Sequence, residues 1–573
     1  MITPLLMSAA PTIHTPHVDY LSILPMLIMI GGALALMVVS SLFRKILGVG
    51  SGTLMACVVS IAALVAALFQ WDHVVTHGPS VTIAGAIAYD GFDVFVQIVV
   101  SIGLLLTALV GDGYLRREGV EGPEFHVLAM MSASGAMMMG AANDLIVVFL
   151  GLEIMSIALY VLAAFNHKRA ESGEAALKYF VLGAFSSAVF VYGIALIYGA
   201  TGSTNLPQIA DYLANNVVAS NGVLLGGLAL LLVGFGFKIA AVPFHMWSPD
   251  VYEGSPSPVT GFMAAVVKVG AFAALLRVFV TSFSTVRTDW QPIIWALAIL
   301  SLVVGAVVAL MQTNVKRMMA YSSINHAGFI LLGVEVANTQ GVSAALYYLF
   351  TYVFMVIGSF AVITVMSRDG DLGNQISDYR GLAKRQPVLA LAFAALLLGQ
   401  AGIPFTTGFL AKFGVVGASV DSHAYTLATV AMVSAAIAAF FYLRVAVTMY
   451  SPVGRIGDTG GDDQEEDAAW EDLDGSPAAS TTPADPLAGV TAAGAATAAA
   501  SEVDPPDSVF DRVASLQTLT DAPPADPVVD RGVVPVPWLT SLVIGISVAF
   551  TVVFGIIPGP ILDFAHQATL LFP

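Results

Sequence analysis

Long, nearly uninterrupted runs of apolar residues alternate with short polar connections along most of the chain. The hydrocarbon core of a bilayer, about 30 Å thick, takes ~20 apolar residues in helical form, so runs of that length read as membrane spans. Fourteen of them fall near residues 20–42, 53–70, 91–111, 125–141, 145–165, 174–199, 222–247, 257–284, 292–312, 318–335, 341–366, 387–418, 424–450 and 537–557. The pattern predicts an all-α polytopic membrane protein of about 14 transmembrane helices. The seventh and twelfth runs are long and interrupted, by Pro243 and by Gly402-Ile-Pro404. Proline removes a backbone donor and opens the helical ladder. Interrupted helices at matching positions of two halves mark the ion path of many transporters. Spans 4–8 and 9–13 are therefore expected to form two five-helix repeats with broken helices 7 and 12. Five is an odd number, so the repeats are inverted relative to each other.

Basic residues of short loops stay on the cytoplasmic side. Arg44 and Lys45, Arg116 and Arg117, Lys168 and Arg169, Lys316 and Arg317, and then Arg368, Arg380, Lys384 and Arg385 all follow odd-numbered spans. Loops after even-numbered spans hold one clear basic residue, Arg287. Both termini are thus expected outside. The loop from His245 to Ser257 follows an odd span yet carries no basic residue. The segment 451–535, rich in Ala, Pro, Asp, Ser and Thr, has too little apolar surface to offset ordering entropy and reads as a disordered cytoplasmic insertion. The expected organisation is N-terminal helices 1–3 in 1–123, a first repeat in 124–285, a second in 286–450, the acidic insertion in 451–535 and helix 14 in 536–573. Residues 1–20 lack the basic region and cleavage site of a signal peptide, so no processing is expected.

Composition agrees with the pattern: 57% of residues are hydrophobic and 11% charged, against about 25% charged in a soluble domain. The formal charge of −17 changes the picture little, because 451–535 holds seventeen acidic residues against three basic ones and the rest is near neutral. The expected surroundings are a lipid bilayer and protein neighbours, not nucleic acid. Cys57 is the only cysteine, which excludes disulfides within the chain, thiolate metal sites and cysteine-ligated iron-sulfur clusters. No cofactor or metal is expected on this chain.

Charged residues being so scarce, those placed mid-span carry the chemistry. Glu153, Lys238, Lys268 and Lys412 lie inside apolar runs. Each would cost ~2.5–3.5 kcal/mol at a lipid-facing helix centre, so each should face the bundle interior. Lys178 sits about one turn into its span, where a head that reaches back to the interface competes with a functional role. Arg277 and Arg444 lie nearer span ends and read as structural. His245 and His326 are candidate proton carriers, with Tyr321, Ser322 and Ser323 nearby in sequence to His326. Asp250 and Glu253 read as solvated or capping residues of a loop. Burial disfavours the charged form of a lysine or glutamate, and an opposite charge nearby favours it, so moving a partner switches protonation. Several such groups of mixed sign at membrane depth are what a proton relay requires.

The run Phe237-Lys-Ile-Ala-Ala-Val-Pro-Phe-His-Met-Trp-Ser-Pro-Asp-Val-Tyr-Glu-Gly-Ser-Pro-Ser-Pro-Val-Thr260 resembles the antiporter-like membrane subunits of bacterial respiratory complex I, and among them subunit N. The resemblance continues at Asn314-Val-Lys-Arg-Met-Met-Ala-Tyr-Ser-Ser-Ile-Asn-His-Ala-Gly328 and Gly402-Ile-Pro-Phe-Thr-Thr-Gly-Phe-Leu-Ala-Lys-Phe413. It implies a fold shared with subunits L and M and with Mrp-type antiporters. It also implies that Glu153 and Lys238 are the Glu/Lys pair of helices five and seven, Lys178 the sixth-helix lysine, Lys268 the central lysine and Lys412 the exit-side lysine. Lysine at 412 separates the chain from subunit M, which resembles this pattern but carries glutamate there. Phe405-Thr406-Thr407 departs from the family's usual wording at the second break. By this resemblance the chain is a proton-translocating membrane-arm subunit of NADH:quinone oxidoreductase in a bacterial cell (inner) membrane. Its neighbours would be subunit M and small subunits such as K. NADH, FMN, the iron-sulfur clusters and quinone would belong to other subunits. Two alternatives remain at this point: an Mrp-like Na⁺/H⁺ antiporter subunit, and a structural anchor whose buried ions only fix helix packing.

Overall fold

The computed structural model describes residues 18–43, 50–217, 221–367, 369–452 and 533–568. The acidic insertion expected at 451–535, apart from its ends, lies outside the described residues, as do Arg44, Lys45 and Arg368. All fourteen apolar runs are helical. The first half contains α1 (Leu24–Leu42), α2 (Ser51–His77), α3 (Gly91–Glu118), α4 (Glu124–Ala141), α5 (Leu145–Ala163), α6 (Ala170–Thr201), α7 (Leu206–Asn215), α8 (Asn221–Lys238), α9 (Trp247–Gly254), α10 (Ser257–Phe262) and α11 (Lys268–Leu276). The second contains α12 (Arg287–Leu310), α13 (Val315–Val336), α14 (Thr339–Met366), α15 (Leu382–Arg385), α16 (Pro387–Ala401), α17 (Thr407–Asp421), α18 (Tyr425–Tyr450), α19 (Trp538–Ile556) and α20 (Gly559–Gln567). Eleven described helices are long and apolar enough to cross a membrane. The other three predicted spans correspond to α4, to α13 and to the broken pair α16 and α17.

Burial sorts these helices into an inner and an outer set. The span 257–282 is 94% buried over its most apolar stretch, α14 is 100% buried and α3 is 83% buried, whereas α1, α18 and α19 are buried over only 28–33% of theirs. A helix that is apolar all round is stable only when enclosed or in lipid; α14 meets that condition inside the protein. Helix α13 is the informative case. It carries Lys316, Asn325, His326 and Glu335 and still buries all four, so its polar groups face an interior, not lipid. Small residues allow the close approaches: a Cβ on Gly135 of α4 would lie 2.5 Å from the backbone N of Met155 in α5, and one on Gly305 of α12 would lie 2.6 Å from the N of Asn325 in α13.

Three features depart from the sequence reading. The polar connection after α2 forms a short antiparallel hairpin, Ser80–Thr82 against Ile87–Tyr89, so the fold is helical with one small β element. The eighth span is not one regular helix but contains π turns at Met263–Val267 and Arg277–Ser282. Such turns bulge a helix without breaking it and leave no mark in apolar periodicity. The loop expected at 245–257 holds the helix α9.

Connections on one side of the bundle are tied by buried charge. The carboxylate of Asp371, between α14 and α15, accepts from Lys316 Nζ at 3.0 Å, from Arg169 at 3.2 Å and from the Ser257 hydroxyl at 2.9 Å. Lys316 also donates to the Ser255 carbonyl at 2.6 Å. Burial alone would raise the Asp371 carboxyl, but the Lys316 ammonium and the Arg169 guanidinium outweigh it and hold the group below its usual value of 3.8. One carboxylate thereby joins the starts of α6, α10 and α13 to the end of α14. Asp371→Asn would strand two cations. Losing one member of a buried pair costs about 3–5 kcal/mol, so the thermal midpoint of the solubilised protein should drop at neutral pH. Because the folded carboxyl titrates lower than the unfolded one, this contribution is complete above the usual value and fades only as pH falls through the lower, folded one. Melting curves of wild type and variant should therefore converge only in strong acid, and equal midpoints at neutral pH would count against the network.

Candidate functional site: a buried file of lysines

Lys238 ends α8 in a helix break that frees backbone groups. Ala240 adopts a left-handed conformation (φ 57°), unusual for a residue with a Cβ. The freed groups find new partners: Val242 N donates to Ser301 Oγ at 2.9 Å, and Trp247 Nε1 donates to the Phe237 carbonyl at 2.9 Å. Irregular backbone at membrane depth persists only where such partners exist. The Lys238 head is 3% exposed. It donates to Ser156 Oγ at 2.7 Å and Tyr160 OH at 3.2 Å, and lies over the rings of Tyr160 and Tyr179 at 5.4 and 6.0 Å. Glu153 on α5 is close enough for its charge to act on Lys238, yet the two make no ion pair, and Glu153 Oε1 is buried without a hydrogen-bond partner.

Lys268 follows the first π turn and is 2% exposed. Its ammonium donates to the Ser323 carbonyl of α13 and lies 5.9 Å from the Tyr352 ring centre. Aromatic and hydroxyl groups lead from Lys238 to it: Trp247 stacks on Tyr179 at 4.6 Å, and Tyr252 OH is 3.2 Å from Ser323 Oγ. His326, about one turn beyond Ser323 on α13, is 2% exposed, with Nδ1 2.6 Å from Tyr348 OH and Nε2 3.0 Å from Tyr442 OH. Tyr442 OH in turn hydrogen-bonds Ser322 Oγ. The charges of both Lys268 and Lys412 act on His326.

Lys412 belongs to the second break. Helix α16 ends at Ala401 with Gly402 in the left-handed region (φ 87°), and α17 begins after Phe405 (φ 68°) with Thr406 as its N-cap, accepting from Phe409 N at 3.3 Å. The last carbonyls of a helix lack intrahelical partners and carry partial negative charge. Lys412 Nζ donates to one of them, Ala401 O, at 2.8 Å and lies 4.9 Å from the Phe329 ring centre. The departure at Phe405-Thr406-Thr407 therefore keeps the break and supplies its cap.

Not every candidate joins the file. Lys178 has 43% of its side chain exposed and pairs with Glu174 at 2.7 Å and Asp250 at 2.8 Å. Asp250 also binds Arg317 at 2.9 Å, and Arg317 binds Glu253 at 2.7 Å. Lys178, Asp250 and Glu253 thus form a surface ion network, and the Asp250 carboxyl stays low because those two cations outweigh its partial burial. His245 is half-buried in the first break, 6.5 Å from the Tyr321 ring, with Nδ1 unpartnered. Arg277 is buried and doubly bonded to Asp90, and Arg444 donates to carbonyls at the end of α12, both as structural groups. Ser156, Tyr160, Tyr348 and Tyr442 escaped the sequence reading. Hydroxyls are common in apolar spans and mark nothing until a lysine or histidine is seen against them.

Residues 142–438 match the family model described as NADH:quinone oxidoreductase/Mrp antiporter, TM. NADH-quinone oxidoreductase subunit N of Trichlorobacter lovleyi is 43% identical over 389 residues, 68% of this chain and 79% of the relative. The subunit of the same name from Mycobacterium tuberculosis is 40% identical over 479 residues, 76% of this chain and 90% of that one. A chain of respiratory complex I from Thermus thermophilus superposes with a TM-score of 0.68 at 28% identity, over 94% of this chain and 98% of its own. A chain of the Mrp complex from Dietzia shares the fold alone, with a TM-score of 0.73 at 19% identity over 96% of this chain and 97% of its own. With both broken helices and the buried lysines falling inside the matched residues, this chain belongs to the NADH:quinone oxidoreductase/Mrp antiporter family of membrane proteins and groups there with the N subunits of NADH-quinone oxidoreductase.

Proposed function

We propose that the chain is the proton-translocating membrane-arm subunit N of a bacterial NADH:quinone oxidoreductase. Redox chemistry would take place on other subunits, which carry FMN, the iron-sulfur clusters and the quinone site. Subunit M and small subunits such as K would be its neighbours in the cell membrane. The observation that carries this reading is the arrangement of Lys238, Lys268 and Lys412, three buried ammonium groups held by hydroxyls, carbonyls and ring faces with no carboxylate in contact. A purely structural ion would be expected to end in a tight pair, as Arg277 does with Asp90.

In the proposed relay, Glu153 modulates Lys238, Lys238 passes a proton to Lys268, and His326 with its two tyrosines connects Lys268 to Lys412. Lys178 stands at the surface entrance, and His245 lies in the first break beside the path. Moving one proton against 100 mV costs about 2.3 kcal/mol. Switching by one or two pKa units supplies about 1.4–2.7 kcal/mol, which is the right size. The reading also includes fourteen crossings with both termini outside, and inverted repeats at 124–285 and 286–450.

A positioned proton donor or acceptor contributes about 10²–10⁴-fold to the step it serves. Lys268→Ala and Lys412→Ala should each abolish NADH-driven proton uptake by inverted membrane vesicles when assembly equals wild type. Normal pumping by either variant would sink the relay, and proton or sodium flux by the isolated chain would turn the reading toward an antiporter. Tyr442→Phe, which removes one hydroxyl from His326 and Ser322, should slow pumping less than Lys268→Ala does. If the two hydroxyl bonds only fixed packing, the same variant would lower thermal stability and leave the proton yield per NADH untouched.

A further inference from the structure

Two hydrogen-bonded groups along the lysine file stop short of each other. One holds Lys268: its ammonium donates to the Ser323 carbonyl, and Ser323 Oγ is 3.2 Å from Tyr252 OH. The other holds His326, whose Nδ1 and Nε2 lie 2.6 and 3.0 Å from Tyr348 OH and Tyr442 OH, while Tyr442 OH also bonds Ser322 Oγ. Ser322 and Ser323 are neighbours on α13, yet among the described residues no side-chain hydrogen bond joins the two groups.

Tyr352 of α14 meets both groups. Its side chain is 1% exposed. The Lys268 ammonium lies 5.9 Å from the centre of its ring, and the His326 ring centre lies 4.7 Å from the same point. Tyr348, four residues earlier on the same helix face, holds Nδ1 of that imidazole. The Tyr352 hydroxyl interacts with Ser323 and Tyr252 of the first group and with Tyr442 of the second. It is nevertheless buried without completing a hydrogen bond to any of them. Buried hydroxyls in native interiors are normally paired, and an unpaired one costs stability. Packing against Lys268 and His326 needs only the ring, which a phenylalanine would supply, so the fold gives no reason for the oxygen atom.

A hydroxyl fixed by a permanent partner exchanges protons only with that partner, whereas an open one can turn about its C–O bond and join either neighbour. A chain of bonds that was always complete would also let protons run back down the gradient. We infer that Tyr352 is a proton-carrying hydroxyl, the link that closes the route from Lys268 to His326 only when a proton passes. The inference rests on the relay reading given above and adds no exit to it, since the proton continues to Lys412. In this step the ammonium turns from the Ser323 carbonyl to the phenol oxygen of Tyr352 and gives it a proton. The phenolic proton of Tyr352 passes to the Tyr442 oxygen, and that of Tyr442 passes to His326 Nε2. The imidazole must start with its proton on Nδ1, donating to Tyr348 OH. Lys268 ends as a neutral amine and His326 as the cation, and each hydroxyl has taken one proton and given one.

The test uses the assembled oxidoreductase carrying Tyr352→Phe, which keeps the ring against Lys268 and His326 and removes one oxygen atom. A positioned proton carrier contributes about 10²–10⁴-fold to its step, so NADH-driven proton uptake by inverted membrane vesicles should slow by about tenfold or more at equal assembly. The thermal midpoint of the solubilised protein should stay level or rise, because the substitution breaks no hydrogen bond. Uptake at the wild-type rate overturns the proposal. Slowed uptake together with a lowered midpoint also overturns it, since that pair of results marks Tyr352 as a packing residue. Lys268→Ala reads the relay itself: normal pumping there sinks the relay reading, whereas lost pumping there with normal pumping in Tyr352→Phe overturns the Tyr352 inference alone.

Discussion

Everything in this molecule follows from the poverty of its solvent. Hydrocarbon offers no hydrogen bonds, so each polar group at membrane depth must be satisfied by the protein or placed where solvation is cheap. Lys238, Lys268 and Lys412 meet this constraint in three ways: a serine and a tyrosine hydroxyl, a carbonyl of a neighbouring helix, and the free carbonyl end of a broken helix. None is neutralised by a touching carboxylate. Groups held in this way are poised, because small movements of a neighbour change the balance between charged and neutral forms.

The two breaks show how backbone geometry prepares such places. Each puts a non-glycine residue in the left-handed region, Ala240 two residues after Lys238 and Phe405 seven residues before Lys412, so each break lies near a buried lysine. Strain of this kind persists where the surroundings over-determine it, and it collects at functional positions. The ends of α8 and α16 bring helix termini into the interior, where their unpaired carbonyls would be costly unless something donates to them. At the second break that donor is Lys412 itself, so the lysine stabilises the break and the break holds the lysine. The π turn ahead of Lys268 provides a third irregularity beside a third buried lysine.

Buried charge is used in two distinct ways. Asp371 with Lys316 and Arg169, and Asp90 with Arg277, are compact pairs that fasten elements from distant parts of the chain. The lysine file avoids such pairing. The surface network of Lys178, Asp250, Arg317 and Glu253 belongs with the fasteners by its geometry.

Apolar run length located the spanning helices, because a bilayer sets a minimum length for a span. Pro243 and Pro404, deep inside long apolar runs, located both breaks, whereas Pro292, near the start of α12, is carried inside a continuous helix. Charge scarcity singled out Glu153, Lys238, Lys268 and Lys412, because an ionisable group in a long apolar run has few affordable reasons to be there. Only the tertiary structure decided which of the remaining polar residues matter. Tyr442 meets His326 across 116 positions, and Ser156 meets Lys238 across 82. For Lys178 its place one turn into a span left a head at the interface and a functional role both open, and the structure shows it at the surface, paired with Asp250 72 residues away. The π turns and the hairpin at 80–89 were illegible in the same way, because neither leaves a mark in the hydrophobic period.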